Sequence, residues 1–175
     1  QSKFAEAETL LREAVETLVG IVGVTHPTTL VAMSNLGLNL EQQGLYDEAE
    51  PIMKQTVAGM EETFGVGHEQ TSIARNNLAL LHESQGNFRE AEPLYLTSYG
   101  FFSEEFGEQH PNALAVQNNL AFLYMLMEEY QQAEDMFSEV VAMWNEVLGT
   151  AHQDTLKGLN NLGRVQHRLG KLEEA

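Results

Sequence analysis

Residues 76–95 decide the fold, and they read NNLALLHESQGNFREAEPLY. The first part begins Asn-Asn-Leu-Ala-Leu-Leu, and after Phe88 apolar residues recur at the spacing of one helix face: Ala91, Tyr95, Tyr99, Phe102 and Phe106. Gly86 separates the two parts, and glycine takes the left-handed backbone conformation that ends a helix without the steric cost borne by other residues. The stretch therefore predicts two helices joined by a tight turn.

This stretch belongs to a repeat with a period of 42 residues. We call residues that occupy the same position in successive repeats a column. One column is histidine throughout, and another is glycine: His26, His68, His110 and His152, and Gly23, Gly65, Gly107 and Gly149. An aromatic or apolar column and an alanine column keep the same spacing: Phe4, Tyr46, Phe88, Tyr130 and Leu172, and Ala7, Ala49, Ala91, Ala133 and Ala175. Several independent columns with one spacing identify an internal repeat.

The repeat predicts an all-α protein. We call the two helices on either side of the turn the first and the second helix of a pair. Counted from the aromatic position, each unit begins with the second helix of one pair and ends with the first helix of the next pair. The four units run over 4–45, 46–87, 88–129 and 130–171. Complete helix pairs are expected at 27–64, 69–106 and 111–148, after a leading second helix and before a last first helix at about 153–169. Because such repeats gain a core only by stacking, we expect a single α-solenoid array over 1–175. The first and the last helix pair of this array are expected to be truncated.

One turn departs from the pattern. Gly44, Gly86 and Gly170 occupy the turn between the two helices of a unit, whereas Glu128 stands at this position in the remaining case. We expect this glutamate either to cost about 1 kcal/mol in the left-handed conformation or to reshape its turn.

The repeat resembles the kinesin light chain type of tetratricopeptide repeat over essentially the full chain. The resemblance rests on Asn-Asn-Leu-Ala in the first helix and on aromatic-x-Glu-Ala-Glu-Pro after the turn glycine, both complete in residues 76–95. The period alone also fits HEAT and armadillo repeats of about 40–47 residues. Small residues favour the tetratricopeptide hairpin, since its two helices need them for close packing: Gly37, Ala79, Ala121 and Gly163 with Ala49, Ala91 and Ala133.

The resemblance implies a right-handed superhelix of stacked antiparallel helix pairs, with an inner groove that is lined mainly by first helices and receives peptides. Leu78 and His82 should face the second helix, so the positions one step round the first helix should face the groove. These are Val31, Asn35, Leu38 and Gln42; Ile73, Asn77, Leu80 and Ser84; Ala115, Asn119, Phe122 and Leu126; Lys157, Asn161, Arg164 and Arg168. The predicted peptide-binding residues are Asn35, Leu38, Asn77, Leu80, Asn119, Phe122, Lys157, Asn161, Arg164 and Arg168.

Three kinds of residue in this set have different expected roles. The asparagine amides offer donors and an acceptor to the backbone of a bound peptide, or alternatively they bond neighbouring helices and keep the repeats aligned. Leu38, Leu80 and Phe122 form an apolar strip for an apolar anchor, or they are buried against the next repeat. The basic residues of the last first helix receive an acidic side chain or a terminal carboxylate, or they form a solvated face.

Composition limits the partners. The formal charge of −17 repels nucleic acid and anionic lipid and favours neutral or basic partners. No window approaches the roughly 20 apolar residues needed to span a bilayer. The chain has no cysteine, which fits a reducing compartment and is equally compatible with export, and we expect the cytoplasm. The expected partner is a protein or peptide, neutral to apolar with a possible acidic end, and neither nucleic acid nor membrane.

No motif indicates catalysis. The four histidines lie one per repeat, about 10 Å or more apart, so one metal ion cannot collect them, and they read as structural residues that start the first helices. His82 and Glu83 do not continue into a zinc-protease motif, because the expected second histidine is Gly86. We therefore predict a protein-interaction scaffold with no catalytic residue, metal or cofactor. The alternatives are a self-assembly module with head-to-tail association through its open repeat ends, and a regulatory segment of a larger enzyme or signalling protein.

Overall fold

A computed structural model describes residues 2–170, and these fold into α helices without a β strand. The second helices of the repeat are α1 (Ser2–Val22), α3 (Tyr46–Phe64), α5 (Phe88–Phe106) and α7 (Tyr130–Leu148). The first helices are α2 (Pro27–Gln42), α4 (Glu69–Ser84), α6 (Pro111–Leu126) and α8 (Gln153–Arg168). The predicted all-α fold is confirmed, and the helices of the predicted pairs begin and end at the expected residues, over 27–64, 69–106 and 111–148. Leu172 and Ala175, which were expected to continue two columns, lie outside the described residues.

A histidine begins every first helix. Nδ1 of His26, His68, His110 and His152 accepts a hydrogen bond from the backbone N–H two residues later, at 3.1 to 3.3 Å. This bond satisfies one of the N–H groups that a helix start leaves without a partner inside the helix. Proline follows the histidine in α2 and α6, where its fixed φ suits the first helical turn. The structural role expected for the histidines is confirmed.

The turn between first and second helix keeps one backbone conformation throughout. Gly44, Gly86 and Gly170 have φ of 77°, 77° and 78°, and Glu128 has φ of 65°. Its turn is therefore not reshaped, and the glutamate adopts the left-handed conformation that glycine adopts elsewhere. An L residue bears a steric cost there because its Cβ crowds the following carbonyl oxygen.

The described chain forms two compact units, 1–94 and 95–175. In unit 1, Leu30, Met33, Leu36 and Leu40 of α2 are buried with residues of α3 and α4 in one apolar core. In unit 2, Leu114 of α6 packs with Val140 and Trp144 of α7. In both units the core lies between the helices of a pair, and successive first helices contact each other, α2 with α4 and α6 with α8. That the whole chain forms one array stays a prediction.

Candidate protein-binding face

The predicted groove residues lie at the accessible edge of the first helices. Asn35, Lys157, Arg164 and Arg168 are exposed. The other predicted binding residues are half-buried: Leu38, Asn77, Leu80, Asn119, Phe122 and Asn161. By contrast, Leu78 and His82, which were expected to face the second helix, are buried. Because Leu38, Leu80 and Phe122 are half-buried, part of each side chain packs inside the protein and part stays accessible to a partner.

A first cleft lies between α2 and α4. We name it the unit 1 cleft, with a volume of about 330 Å³ and this lining: Val31, Ser34, Asn35, Leu38, Met60, Gln70, Ile73, Ala74 and Asn77. The two first helices supply its sides, and Met60 of α3 adds a side chain from a second helix. None of these side chains is charged, so the cleft suits an uncharged, mainly apolar group.

A second cleft lies between α6 and α8. This unit 2 cleft has a volume of about 500 Å³, and its apolar lining includes Leu114, Ala115, Trp144, Val147 and Leu148. Pro111 and several polar or charged residues complete the lining: Gln109, Asn118, Asn119, His152, Asp154 and Lys157. Trp144 is the only tryptophan of the chain. Gly158 makes room for its ring, because a Cβ at this glycine would lie 3.1 Å from Trp144 Cζ3.

The two clefts are equivalent positions of the repeat, two periods apart. Val31, Asn35 and Met60 in the unit 1 cleft correspond to Ala115, Asn119 and Trp144 in the unit 2 cleft. On the opposite side, Ile73 corresponds to Lys157. Each cleft thus combines an asparagine of the predicted column with a large apolar residue from the second helix. The sequence argument missed Met60 and Trp144 because it searched the first helices alone, although both lie in the apolar stripe of their second helices.

One asparagine of the column connects two repeats. Asn77 Nδ2 donates to Ser34 Oγ at 3.2 Å, from α4 to the preceding first helix α2. At the end of the same helices, Ser84 Oγ donates to Glu41 Oε1 at 2.7 Å. The aligning role that the sequence left as an alternative is therefore present at Asn77. Asn77 and the exposed Asn35 both line this cleft.

The three basic residues of α8 line two different clefts. Lys157 borders the unit 2 cleft and pairs with Asp154, Nζ to Oδ1 at 3.5 Å. Arg164 and Arg168 line a third cleft, of about 780 Å³, which we name the basic cleft: Met125, Leu126, Glu128, Tyr130, Arg164, His167 and Arg168. Arg164 also lies over the ring of Phe122, with Cζ 5.9 Å from the centroid, in a cation–π geometry. The sequence argument did not name His167, whose imidazole lines this cleft together with the two arginines.

No helix within residues 2–170 is long and apolar enough to cross a membrane. Helix pairs that recur every 42 residues, with a cleft between successive first helices in each unit, define a helical repeat protein of the scaffold class. A family model described as tetratricopeptide repeat matches residues 1–62, 35–104, 70–124 and 112–175, which together cover the chain. The chain belongs to the tetratricopeptide repeat family, and it is a protein-interaction scaffold in the general sense of that family.

Solved structures of kinesin light chain type resemble this chain. A protein from Podosopora anserina assigned as a kinesin light chain, with nearly identical tetratricopeptide-like repeats, shares 25% identity at a TM-score of 0.82, over 99% of this chain and 82% of that chain. BtubC (BKLC) from P. vanneervenii shares 24% identity at a TM-score of 0.82, over 99% of this chain and 69% of that chain. A search of curated proteins found no match. The predicted α-solenoid class and kinesin light chain-like repeat are confirmed.

Proposed function

We propose that this chain binds segments of a partner protein along its first helices, with side chains of these segments in the unit 1 cleft and in the unit 2 cleft. One observation carries the proposal: the same cleft recurs at the same register of the repeat in both units. A cleft that recurs with the repeat suits a protein partner, because a peptide can insert a side chain into each such cleft that it reaches. Asparagine amides beside the pockets can bond the peptide backbone.

The two clefts favour different side chains. The unit 1 cleft has no charged lining and a volume of about 330 Å³, which suits an aliphatic side chain. The unit 2 cleft is larger, about 500 Å³, and offers the Trp144 ring together with the Asp154–Lys157 pair at its edge. It suits a larger apolar side chain that carries a polar tip. The expected partner segment is therefore neutral to apolar where it meets these clefts.

The basic cleft supports an acidic end on the partner. Arg164 and Arg168 account for two of the nine Lys and Arg residues in a chain of charge −17, and no ion pair occupies either guanidinium among the described residues. Guanidinium groups bind carboxylates through paired hydrogen bonds. An acidic side chain or terminal carboxylate is the group we assign to this cleft. We place the binding in the cytoplasm, which suits a chain without cysteine.

Selection from a display library of random 12-residue peptides tests this proposal. The immobilised chain should enrich peptides with apolar residues, and their binding should change the fluorescence of Trp144, the only tryptophan. Val31→Glu places a charge at the edge of the uncharged unit 1 cleft and should weaken selected peptides about tenfold or more. Val31 is 45% exposed, so the fold should tolerate the change.

Val66→Glu is the matched control, because Val66 is also exposed, at 67%, and lies outside the clefts. Its affinity for the selected peptides should equal that of the unmodified chain. The unit 1 cleft is not a binding site if Val31→Glu binds every selected peptide as tightly as Val66→Glu does. The unit 2 cleft is not a binding site if no selected peptide changes the fluorescence of Trp144, and the two results together refute the proposal.

A further inference from the structure

The basic cleft contains charged groups of both signs that do not pair with each other. Arg164 and Arg168 of α8 line it together with Glu128, from the turn between α6 and α7. Within the residues that the structure describes, the Glu128 carboxylate makes no ion pair and no hydrogen bond, and neither guanidinium is paired with an acid. Opposite charges thus border one space of about 780 Å³, and each is available to a ligand.

We propose that the basic cleft binds a segment of the partner that presents a carboxylate and a cationic group close together. The carboxylate binds Arg164 and Arg168, and the cationic group binds Glu128. This inference rests on the proposed function, because it refines the acidic group assigned to the basic cleft into a pair of opposite charges.

Glu128 occupies its place at a cost in backbone energy. Its φ is 65°, whereas glycine stands at the other turns of this kind. Backbone hydrogen bonds close the turn, from Glu128 N–H to the Met125 carbonyl at 3.2 Å and from Glu129 N–H to the Tyr124 carbonyl at 2.9 Å. These bonds set the direction in which the Glu128 side chain leaves the backbone. Strained residues cluster at functional sites, so this outlier points to a role that glycine does not supply.

The glutamate and the two arginines depart from the repeat together. The other turns of this kind contain glycine, and the positions of Arg164 and Arg168 are uncharged in the preceding first helices. The residues at those positions are Leu38, Leu80 and Phe122, and Gln42, Ser84 and Leu126. Three charged replacements therefore meet in one cleft, although they come from two different helix pairs.

The accessibility of the arginines follows from their position in the repeat. Gln42 and Leu126 occupy the position of Arg168, and both are exposed although a second helix and a further first helix follow each of them. Leu38 and Phe122, at the position of Arg164, are half-buried under the same conditions. This edge of a first helix therefore stays open when more of the repeat packs behind it.

The groups of the cleft suit a segment that carries both charges. Guanidinium groups bind a carboxylate through paired hydrogen bonds. Arg164 lies over the Phe122 ring, with Cζ 5.9 Å from the centroid, and a guanidinium in this position keeps N–H groups for a second partner. Glu128 accepts hydrogen bonds from an ammonium or guanidinium group. Leu126, which is 37% exposed, offers apolar contact to the methylene stem of such a side chain.

Nuclear magnetic resonance titration of the ¹⁵N-labelled chain tests the inference with short peptides of glycine and serine that contain one glutamate and one lysine. The two residues are adjacent or separated by one, two or three residues, in either order, and both peptide ends are blocked. A second arm uses peptides that end in a lysine with a free carboxylate. Each peptide is compared with a counterpart in which glutamine replaces the lysine. None of these peptides has an apolar side chain for the unit 1 cleft or the unit 2 cleft.

At least one peptide should bind about threefold more tightly than its glutamine counterpart, which is the contribution of an exposed charge pair. This preference should vanish in Glu128→Gln, which keeps the size of the side chain. It should persist in Glu129→Gln, the matched control, because Glu129 is an exposed carboxylate of the same turn that does not line the cleft. Arg164→Gln and Arg168→Gln should each weaken the same peptide by about threefold to fivefold.

The inference is overturned if no peptide of either arm binds more tightly than its glutamine counterpart. It is also overturned if the preference persists in Glu128→Gln or is lost equally in Glu129→Gln, because the lysine is then attracted by the acidic surface as a whole. A preference in one arm alone supports the inference and identifies the source of the carboxylate. Binding of library-selected apolar peptides, and its loss in Val31→Glu, is a separate measurement, so the proposed function can stand when this inference fails.

Discussion

Replacement of Glu128 by glycine should make the protein more stable. Glu128 is the one non-glycine residue with positive φ among the described residues, at 65°, and it occupies a turn position where glycine stands in three other units. Its side chain is exposed and borders the basic cleft, so the substitution removes no core packing. Relief of the backbone strain is the main expected effect.

The magnitude follows from two opposing terms. An L residue in the left-handed conformation costs about 1–2 kcal/mol. Glycine at the same place raises the entropy of the unfolded chain, which costs about 0.4–1 kcal/mol. The net gain is therefore roughly 0.5–1 kcal/mol, and for a chain of this size it raises Tm by about 2–3 °C.

Differential scanning calorimetry of Glu128→Gly measures this shift, and Gly86→Glu is the reciprocal control at the equivalent turn, with φ of 77°. The control should lose stability by a similar amount. The strain argument is refuted if Glu128→Gly leaves Tm unchanged or lowers it while Gly86→Glu is tolerated without loss. A fall in affinity for acidic peptides in Glu128→Gly, despite higher stability, would indicate that the strained residue serves the basic cleft.

Substitutions at a helix cap, at two glycines of α8 and in one ion pair test what stabilises the fold. His68→Ala removes a helix cap and should cost about 1 kcal/mol in chemical denaturation, whereas His68→Asn keeps an acceptor and should retain most of that stability. Gly163→Ala in α8 meets open space and should gain about 1 kcal/mol from helix propensity. Gly158→Ala should not show that gain, because its Cβ would lie 2.8 Å from a valine methyl of α7. The Lys54 ammonium lowers the pKa of Glu50, so Glu50→Gln should cost stability at neutral pH and progressively less as pH falls through the lowered pKa.

Each of these predictions has a result that contradicts it. Equal unfolding midpoints for His68→Ala and the unmodified chain would remove the cap argument. Equal gains in stability from Gly163→Ala and Gly158→Ala would mean that the side chains around Gly158, including Trp144, move aside without an energetic cost. A stability difference for Glu50→Gln that stays constant between about pH 7 and about pH 3 would show that its pairing does not contribute to folding.

Helix bounds could be predicted from the sequence because the residues that begin and end a helix act locally. A histidine cap, a following proline and a turn glycine each act on the backbone within a few residues, and all recur with one period. The conformation of Glu128 was less determined, because either strain or a reshaped turn was physically possible. In the structure Glu128 adopts the strained left-handed conformation, the same one that glycine adopts at the equivalent turns.

The candidate clefts were harder to predict. The sequence placed Asn35, Asn77 and Asn119 on one face of their helices, since helical periodicity alone gives that face, and these residues line the two clefts. It did not predict that Met60 and Trp144 reach the clefts from the second helices, because this depends on how deeply side chains pass between two packed helices. Nor did it separate Lys157 from Arg164 and Arg168, which share its helix face but lie about two and about three turns further along α8 and line a different cleft.

The central claim, that the first-helix clefts bind a partner segment, is tested most directly by nuclear magnetic resonance with a library-selected peptide. Titration into the ¹⁵N-labelled chain should shift the side-chain amide signals of Asn35, Asn77 and Asn119 and the indole N–H signal of Trp144. Signals from the exposed surfaces of α3 and α7 should stay in place. Shifts confined to those second-helix surfaces, with the asparagine and tryptophan signals unchanged, would contradict the account.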